Sequence, residues 1–311
     1  MTNPSEIDRL GLAERLRQHV HHLATEIGER HFAAPGSLEK AADYIDTTFQ
    51  KAEFAPFFQS FSLTRPPLLS RLRSKKRFGS KPYSFKNVIA HLPGETDQHI
   101  VVGAHYDTVF GSPGADDNAS GIAVLLEAAL LLKKTRLKKG VIFAAFTNEE
   151  PPFSRTSAMG SAHFVQNALQ KGEKMTFMLC LEMLGFYTDQ LHSQSYPPLL
   201  KFFYPDQGSF LAVVGNLRSG GYVKRIKKVF KQETNLPVES LMAPRFVRGV
   251  DFSDHMNFWA RGIPAVMLTD TAFYRNPHYH TPHDLPPTLD FEKMAEATIG
   301  VVSSICALGD N

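Results

Sequence analysis

Thirteen histidines stand beside only two cysteines in this chain of 311 residues. Any metal it holds must be bound by nitrogen and oxygen, which suits zinc or a harder ion and excludes a four-cysteine module. The residues able to donate fall at recurrent places, each near the end of a short apolar run. HIVVGAH ends in His105, with Asp107 two residues on. GVIFAAFTN runs into Glu149 and Glu150. TFMLCLEML carries Glu182, and IPAVMLTD leads into TAFYRNPHYHTPHD, a loop holding His278, His280 and His283. Asp117 lies in GADDNASG, just before a long apolar helix pattern. Each has an ordinary reading alone: a structural histidine, a solvated glutamate pair, an Asp-Asp-Asn helix cap in which Asn118 holds free amides. Five or six such groups converging would be hard to tolerate without cations, because a buried carboxylate is costly unless paired or metal-bound.

Convergence is what the surrounding pattern predicts. FKNVIAHL, HIVVGAH, GVIFAAFTN, TFMLCLEML and IPAVMLTD are continuous apolar runs, as in strands covered on both faces. Helix-like segments alternate with them, SGIAVLLEAALLLKK and SAMGSAHFVQNALQK, which argues an α/β fold with a largely parallel central sheet. Ligands of such sheets bind beyond the carboxyl ends of the strands. Four strands would therefore deliver carboxylates or imidazoles to one edge. The remaining elements are two opening helices (roughly 5–27, and from Ser37), the alternating strand FFQSFSL, and a proline- and aromatic-rich excursion over 186–209. FLAVVGN then reads as a strand, 217–232 as a basic amphipathic helix, and Asp290 to about Leu308 as a final helix. Without repeats or a linker, one catalytic domain over 1–311 is expected. Residues 1–55 would pack on it as N-terminal helices and 186–209 would lie near the site.

Lysine plus arginine is 34 against 31 acidic residues, a net charge of +3, too balanced for a dedicated nucleic-acid or membrane-surface protein. The opening MTNPSEIDRLGLAERLRQHV has no apolar signal core, and no run approaches the ~20 residues of a membrane span. A cytoplasmic protein, with no nucleic-acid or membrane partner, is the expectation. The basic stretch 71–82 reads as a solvated loop.

VVGAHYDTVFGSPGADDNASGIAVLLEAA, FAAFTNEEPP followed by MGSAHF, LCLEMLGF, DFSDHMNF and NPHYHTPHDLP resemble, in order and spacing, the successive motifs of the M28 zinc peptidases, from about Asn87 to the end. These are aminopeptidases with two zinc ions side by side. The resemblance implies a three-layer α/β/α fold with a mixed, mostly parallel sheet, two Zn2+ per chain and peptide substrates with a free N-terminus. It places His105 and Glu182 on one zinc, Glu150 and His280 on the other, and Asp117 between them, the shared carboxylate that ions about 3.5–4 Å apart require. Asp107 would accept the other imidazole N–H of His105. Glu149 would take the proton from a metal-activated water and return it to the leaving amine. Tyr279 would donate to the developing oxyanion. Glu182 departs from the aspartate frequent there and reaches one methylene further, which puts the geometry in question.

Several other signals carry less. The Asn118-Ala-Ser glycosylation match falls inside the metal motif. His278 and His283 flank His280 as alternative ligands, Cys180 reads as packing, and Asp254 and His255 match a Ser-Asp-His element of supporting character. Arg245 and Arg248 are candidates to touch substrate. Two other functions are compatible with parts of the pattern: a single-zinc cyclase of amino-terminal glutamine, whose aspartate motif typically lacks DNASG, and a non-catalytic relative, which would have lost ligands.

Overall fold

The computed structural model describes residues 7–63 and 82–310. The basic stretch 71–82, apart from Pro82, lies outside the described residues. The chain opens with α1 (Arg9–His21), where Asp8 caps the first turn by accepting the Gly11 N–H, and one wider turn carries it on to Ile27. Leu12, Leu16, Val20 and Leu23 are all buried, one stripe at helical spacing. Next come α2 (Ser37–Lys51), β1 (Phe57–Leu63), β2 (Tyr83–Leu92) and β3 (Gln98–His105). They are followed by α3 (Gly121–Leu132), β4 (Gly140–Phe146), α4 (Gly160–Gln170) and β5 (Lys174–Glu182). The C-terminal part supplies β6 (Leu211–Gly215), α5 (Gly220–Glu233), β7 (Val238–Met242), α6 (His255–Trp259), β8 (Ala265–Thr269) and α7 (Phe291–Gly309).

The eight strands among the described residues form one mixed sheet in the order β1-β2-β4-β3-β5-β8-β6-β7. The central four, β4-β3-β5-β8, are mutually parallel. Pairings β1/β2, β2/β4 and β8/β6 are antiparallel, and β7 adds parallel to β6. Each continuous apolar run is split by strand alternation between two cores. Val141, Phe143 and Ala145 of β4 face the cluster under α1, α2, α3, α5 and α7, whereas Ile142, Ala144 and Phe146 face the cluster under α4 and α6. This is why the runs carry no polar alternation: both faces are roofed by helices.

The 186–209 segment is an irregular excursion between β5 and β6. Its two legs are tied by Thr188 N–H to Gly208 O and Gln194 N–H to Asp206 O, and Ser195 N–H reaches across to Tyr274 O. Two elements escape the sequence pattern. Strand β7, VESLM, is a half-exposed edge strand of five residues, and α6, HMNFW, is a single short helix, so neither repeats long enough to show a period. The basic helix starts at Gly220 instead of 217, because Asn216 caps a separate tight turn, Leu217–Ser219. No described helix is long and apolar enough to cross a membrane.

Candidate metal centre

The four parallel strands end side by side. His105 and Glu182 are the last residues of β3 and β5, and Glu149 and Glu150 follow closely on β4, beside His105 in register with Phe146. Asp117 arrives from the turn that precedes α3, which is pinned at many points. Asn118 accepts the Gly121 and Met183 N–H groups at 3.1 and 3.0 Å and donates to Leu181 O at 2.9 Å, so the expected cap also staples Asp117 beside Glu182. The Asp284 carboxylate takes the N–H groups of Asp116 and Asp117, at 2.8 and 3.1 Å. Asp116 takes the Gly185 N–H and the Asn276 amide. Gly114, at φ +63°, leads into the turn, and a Cβ there would lie 2.3 Å from Asp117 O.

These constraints bring together the five expected ligands as two groups sharing one member: His105, Asp117 and Glu182, and Asp117, Glu150 and His280. Asp117 turns Oδ1 toward His105 Nε2 at 3.3 Å and Oδ2 toward His280 Nε2 at 3.1 Å. His105 Nε2 stands 3.4 Å from Glu182 Oε2, and His280 Nε2 stands 3.1 Å from Glu150 Oε1. All the carboxylates are buried, and none makes an ion pair with lysine or arginine among the described residues. Such a cluster is suited to cations, since desolvated carboxylates need positive charge nearby.

The titration of these groups follows from that crowding. Burial pushes the Glu149 carboxyl well above its ordinary range, with the charges of Glu150 and Glu182 adding to it against His105. Glu150 is pushed up to about 8 by burial and by the Asp117 charge. Asp117 goes the other way: burial opposes its ionisation, but hydrogen bonds from His105 and His280 hold it well below the usual range. Burial alone would lower both imidazoles, yet the facing carboxylates raise His105 well above normal and His280 to about 10.

Asp107 faces the expected imidazole nitrogen of His105 and holds further partners as well. Its carboxylate accepts the backbone N–H of Glu149 and Glu150, both at 3.1 Å, which sets the loop carrying the two glutamates. His105 Nδ1 faces the main-chain carbonyl of Asp107 at 3.1 Å, with carboxylate Oδ1 at 3.6 Å. A carbonyl only accepts, so it places the proton on Nδ1 and leaves Nε2 to face the carboxylates. Tyr279 stacks on His280, ring centroids 3.7 Å apart, and burial raises its phenol far above the usual value, so it remains a donor. His278 and His283 stand 6.4 Å apart and belong to neither ligand group.

Ser253 and Arg30 are supporting residues that the sequence reading did not single out. Ser253 Oγ donates to Glu182 Oε2 at 2.5 Å and lies 3.2 Å from Cys180 Sγ, so the longer glutamate is fixed by a hydroxyl and Cys180 touches that relay. The signal was inside DFSDH, where Asp254 and His255 drew attention. His255 is pushed down to about 4 by burial and binds Val250 O, a structural role. Arg30 is fully buried and donates to the carbonyls of Leu23, Gly28, Tyr106, Pro113 and Gly114, tying the His105 and Asp117 loops together. A cavity of about 100 Å³ opens beside Glu182 and Tyr279. Its walls include Tyr196, Leu200 and Tyr204 of the excursion, Phe210 just before β6, and Val214 and Met267 of the sheet.

The family model for peptidase family M28 matches residues 87–304. The chain belongs to peptidase family M28. The "Uncharacterized protein YfbL" of Escherichia coli is 37% identical over 299 residues, covering 93% of this chain and 86% of its own. The "Leucine aminopeptidase 1" of Fusarium vanettenii is 28% identical over 234 residues, covering 70% of this chain and 54% of its own. Among solved structures, a zinc aminopeptidase from Bacillus subtilis superposes with a TM-score of 0.73 at 18% identity, over 96% of this chain and 95% of that one. A glutaminyl cyclase from Fimbriiglobus ruber superposes with 0.70 at 21% identity, over 94% of each chain. These structures share the mixed, mostly parallel sheet flanked by helices, the aminopeptidase-like fold.

Proposed function

We propose that this M28 chain is a two-zinc aminopeptidase that removes N-terminal residues from peptides. The observation that carries this reading is the divided Asp117 carboxylate, one oxygen toward His105 and the other toward His280. A single-ion site would not need both sets of ligands around a common member. His105 and Glu182 would hold one zinc, Glu150 and His280 the other, with Asp117 bridging. Bound there, the zinc pair would supply Lewis-acid polarisation of the scissile carbonyl and of the attacking water. Glu149, which belongs to neither ligand group, is the general base that accepts a proton from water and returns it to the leaving amine. Asp107 keeps Glu149 in place through its backbone, and the Tyr279 hydroxyl would donate to the developing oxyanion. The aromatic cavity beside Glu182 would receive an apolar N-terminal side chain, in keeping with the leucine aminopeptidase relatives.

Zinc content and a panel of amino-acid arylamides and short peptides, free and amino-blocked, test this directly. Two zincs per chain, activity on free amino termini alone, and loss on chelation with recovery on added zinc are expected. Glu149→Gln should lower kcat by ~10²–10⁴-fold, the usual range for a general base, while zinc content stays at the wild-type level. One zinc with cyclisation of amino-terminal glutamine and no peptidase activity would move the assignment to the glutaminyl cyclases.

A further inference from the structure

Among the described residues, three charged ones line the cavity beside the candidate metal ligands: Glu182, Glu239 and Arg248. Glu182 belongs to a ligand group and Glu239 is paired with Lys227 at 2.8 Å. Arg248 has no such use. It is exposed, and among the described residues its guanidinium makes neither an ion pair nor a hydrogen bond, although its neighbours Arg245 and Arg155 both engage Asp251. The guanidinium lies over the ring of Phe273, 5.1 Å from its centroid, and its own carbonyl is held by the Tyr274 hydroxyl at 3.2 Å. An arginine shelved on an aromatic face, with its donors free, is prepared to receive a planar anion.

Its place relative to the ligands is bounded by ring contacts. Phe273 lies 5.7 Å from Tyr279, and Tyr279 lies 3.7 Å from His280. An extended peptide spans ~3.3–3.6 Å per residue, so Arg248 lies within about four residues' reach of the ligands. We infer that Arg248 is a specificity determinant that binds a carboxylate of the peptide substrate, so that short peptides carrying an anionic group near the cleaved end are preferred. The carboxylate is either the C-terminus of a di-, tri- or tetrapeptide or an acidic side chain close to the scissile bond. Both present the same planar anion to the guanidinium. The inference rests on the aminopeptidase reading and names its substrate class.

Paired peptides separate the two sources. Phe-Gly-Gly as free acid and as amide tests the C-terminus, and Phe-Glu-Gly-amide against Phe-Gln-Gly-amide tests the side chain. In at least one pair wild type should favour the carboxylate form about five- to tenfold in kcat/KM, the scale of a charge-assisted bond at a partly open site. Arg248→Gln should bring that ratio to about one, and Arg248→Lys should leave an intermediate value. Each variant's neutral peptide is its own reference, so a damaged fold lowers both members and leaves the ratio informative. Equal rates within both pairs for wild type, or an unchanged ratio in Arg248→Gln, would overturn the inference. If no peptide or arylamide is cleaved, the aminopeptidase reading itself fails. Calorimetric affinities of the same pairs for zinc-loaded protein then decide on Arg248, equal values counting against it.

Discussion

The two halves of the candidate metal centre share Asp117 but are built differently. In one, His105 and Glu182 close parallel strands, His105 is wholly buried, and Ser253 fixes the glutamate. In the other, Glu150 follows β4 in a loop and His280 sits in the long connection after β8, at φ +58°, with its side chain 28% exposed. The first half inherits its geometry from sheet register, and the second depends on loops pinned by Asp107 and on the Tyr279 stack. A site made this way has one rigid wall and one adjustable one. The larger effects expected on mutation follow from which wall is touched.

Removing the shared member should break both halves at once. Asp117→Asn keeps the shape and the stapled turn but takes away the charge that faces both imidazoles. On the proposed two-zinc reading, zinc content should fall from two toward zero and turnover to that of metal-free protein, measured by metal analysis and arylamide assay on the same preparation. Retention of two zincs would show that the halves do not depend on a common carboxylate.

The two histidines should then behave unequally. His280→Ala should leave a folded protein with about one zinc, since the lost ring borders the open side. His105→Ala should cost fold stability as well as metal, because it leaves a void and uncompensated carboxylates in a buried site. Thermal unfolding and metal analysis of the pair would contradict the comparison if both variants melted alike and bound alike. Proton competition applies to either half. In the metal-free protein Glu150 is raised to about 8 and His280 to about 10, so below those values ligands carry protons that zinc must displace. Zinc affinity should therefore rise with pH through about 8, and a flat profile between pH 6 and 9 would go against this account.

The rigid wall was the more legible of the two in the sequence. Continuous apolar runs ending in His or Glu gave the parallel strands and the edge at which His105 and Glu182 lie together, because strand ends convert sequence position directly into space. The stapling was harder to read. Asp107, Asp284 and Ser253 act through backbone amides or a neighbouring ligand, and which amide a carboxylate reaches depends on tertiary approach that spacing does not encode. Asp107 shows this best: its place two residues past His105 points to the imidazole, which its Oδ1 faces at 3.6 Å, but nothing in the spacing points to the Glu149 and Glu150 amides that its oxygens also accept. Arg30 could not have been placed at all, since its five carbonyl acceptors come from three separate segments. Strand β7 and helix α6 were invisible for another reason, being too short to show a period.

The smallest effect expected on the adjustable wall concerns Tyr279. Its ring stacks on His280, and its hydroxyl is the proposed oxyanion donor. Tyr279→Phe keeps the stack and removes only the hydroxyl, so zinc content should not change. Loss of one oxyanion donor costs ~10²–10³-fold where that donor acts without a metal. Here a bound zinc pair would share the developing charge, so a loss nearer ~10-fold in kcat, with little change in KM, is expected. Tyr279→Ala removes the stack as well and should lower zinc retention in the His280 half. If Phe and Ala gave the same zinc content and the same kcat, the ring would have no part in holding His280. The open wall would then owe its shape to the backbone of the 271–284 loop alone.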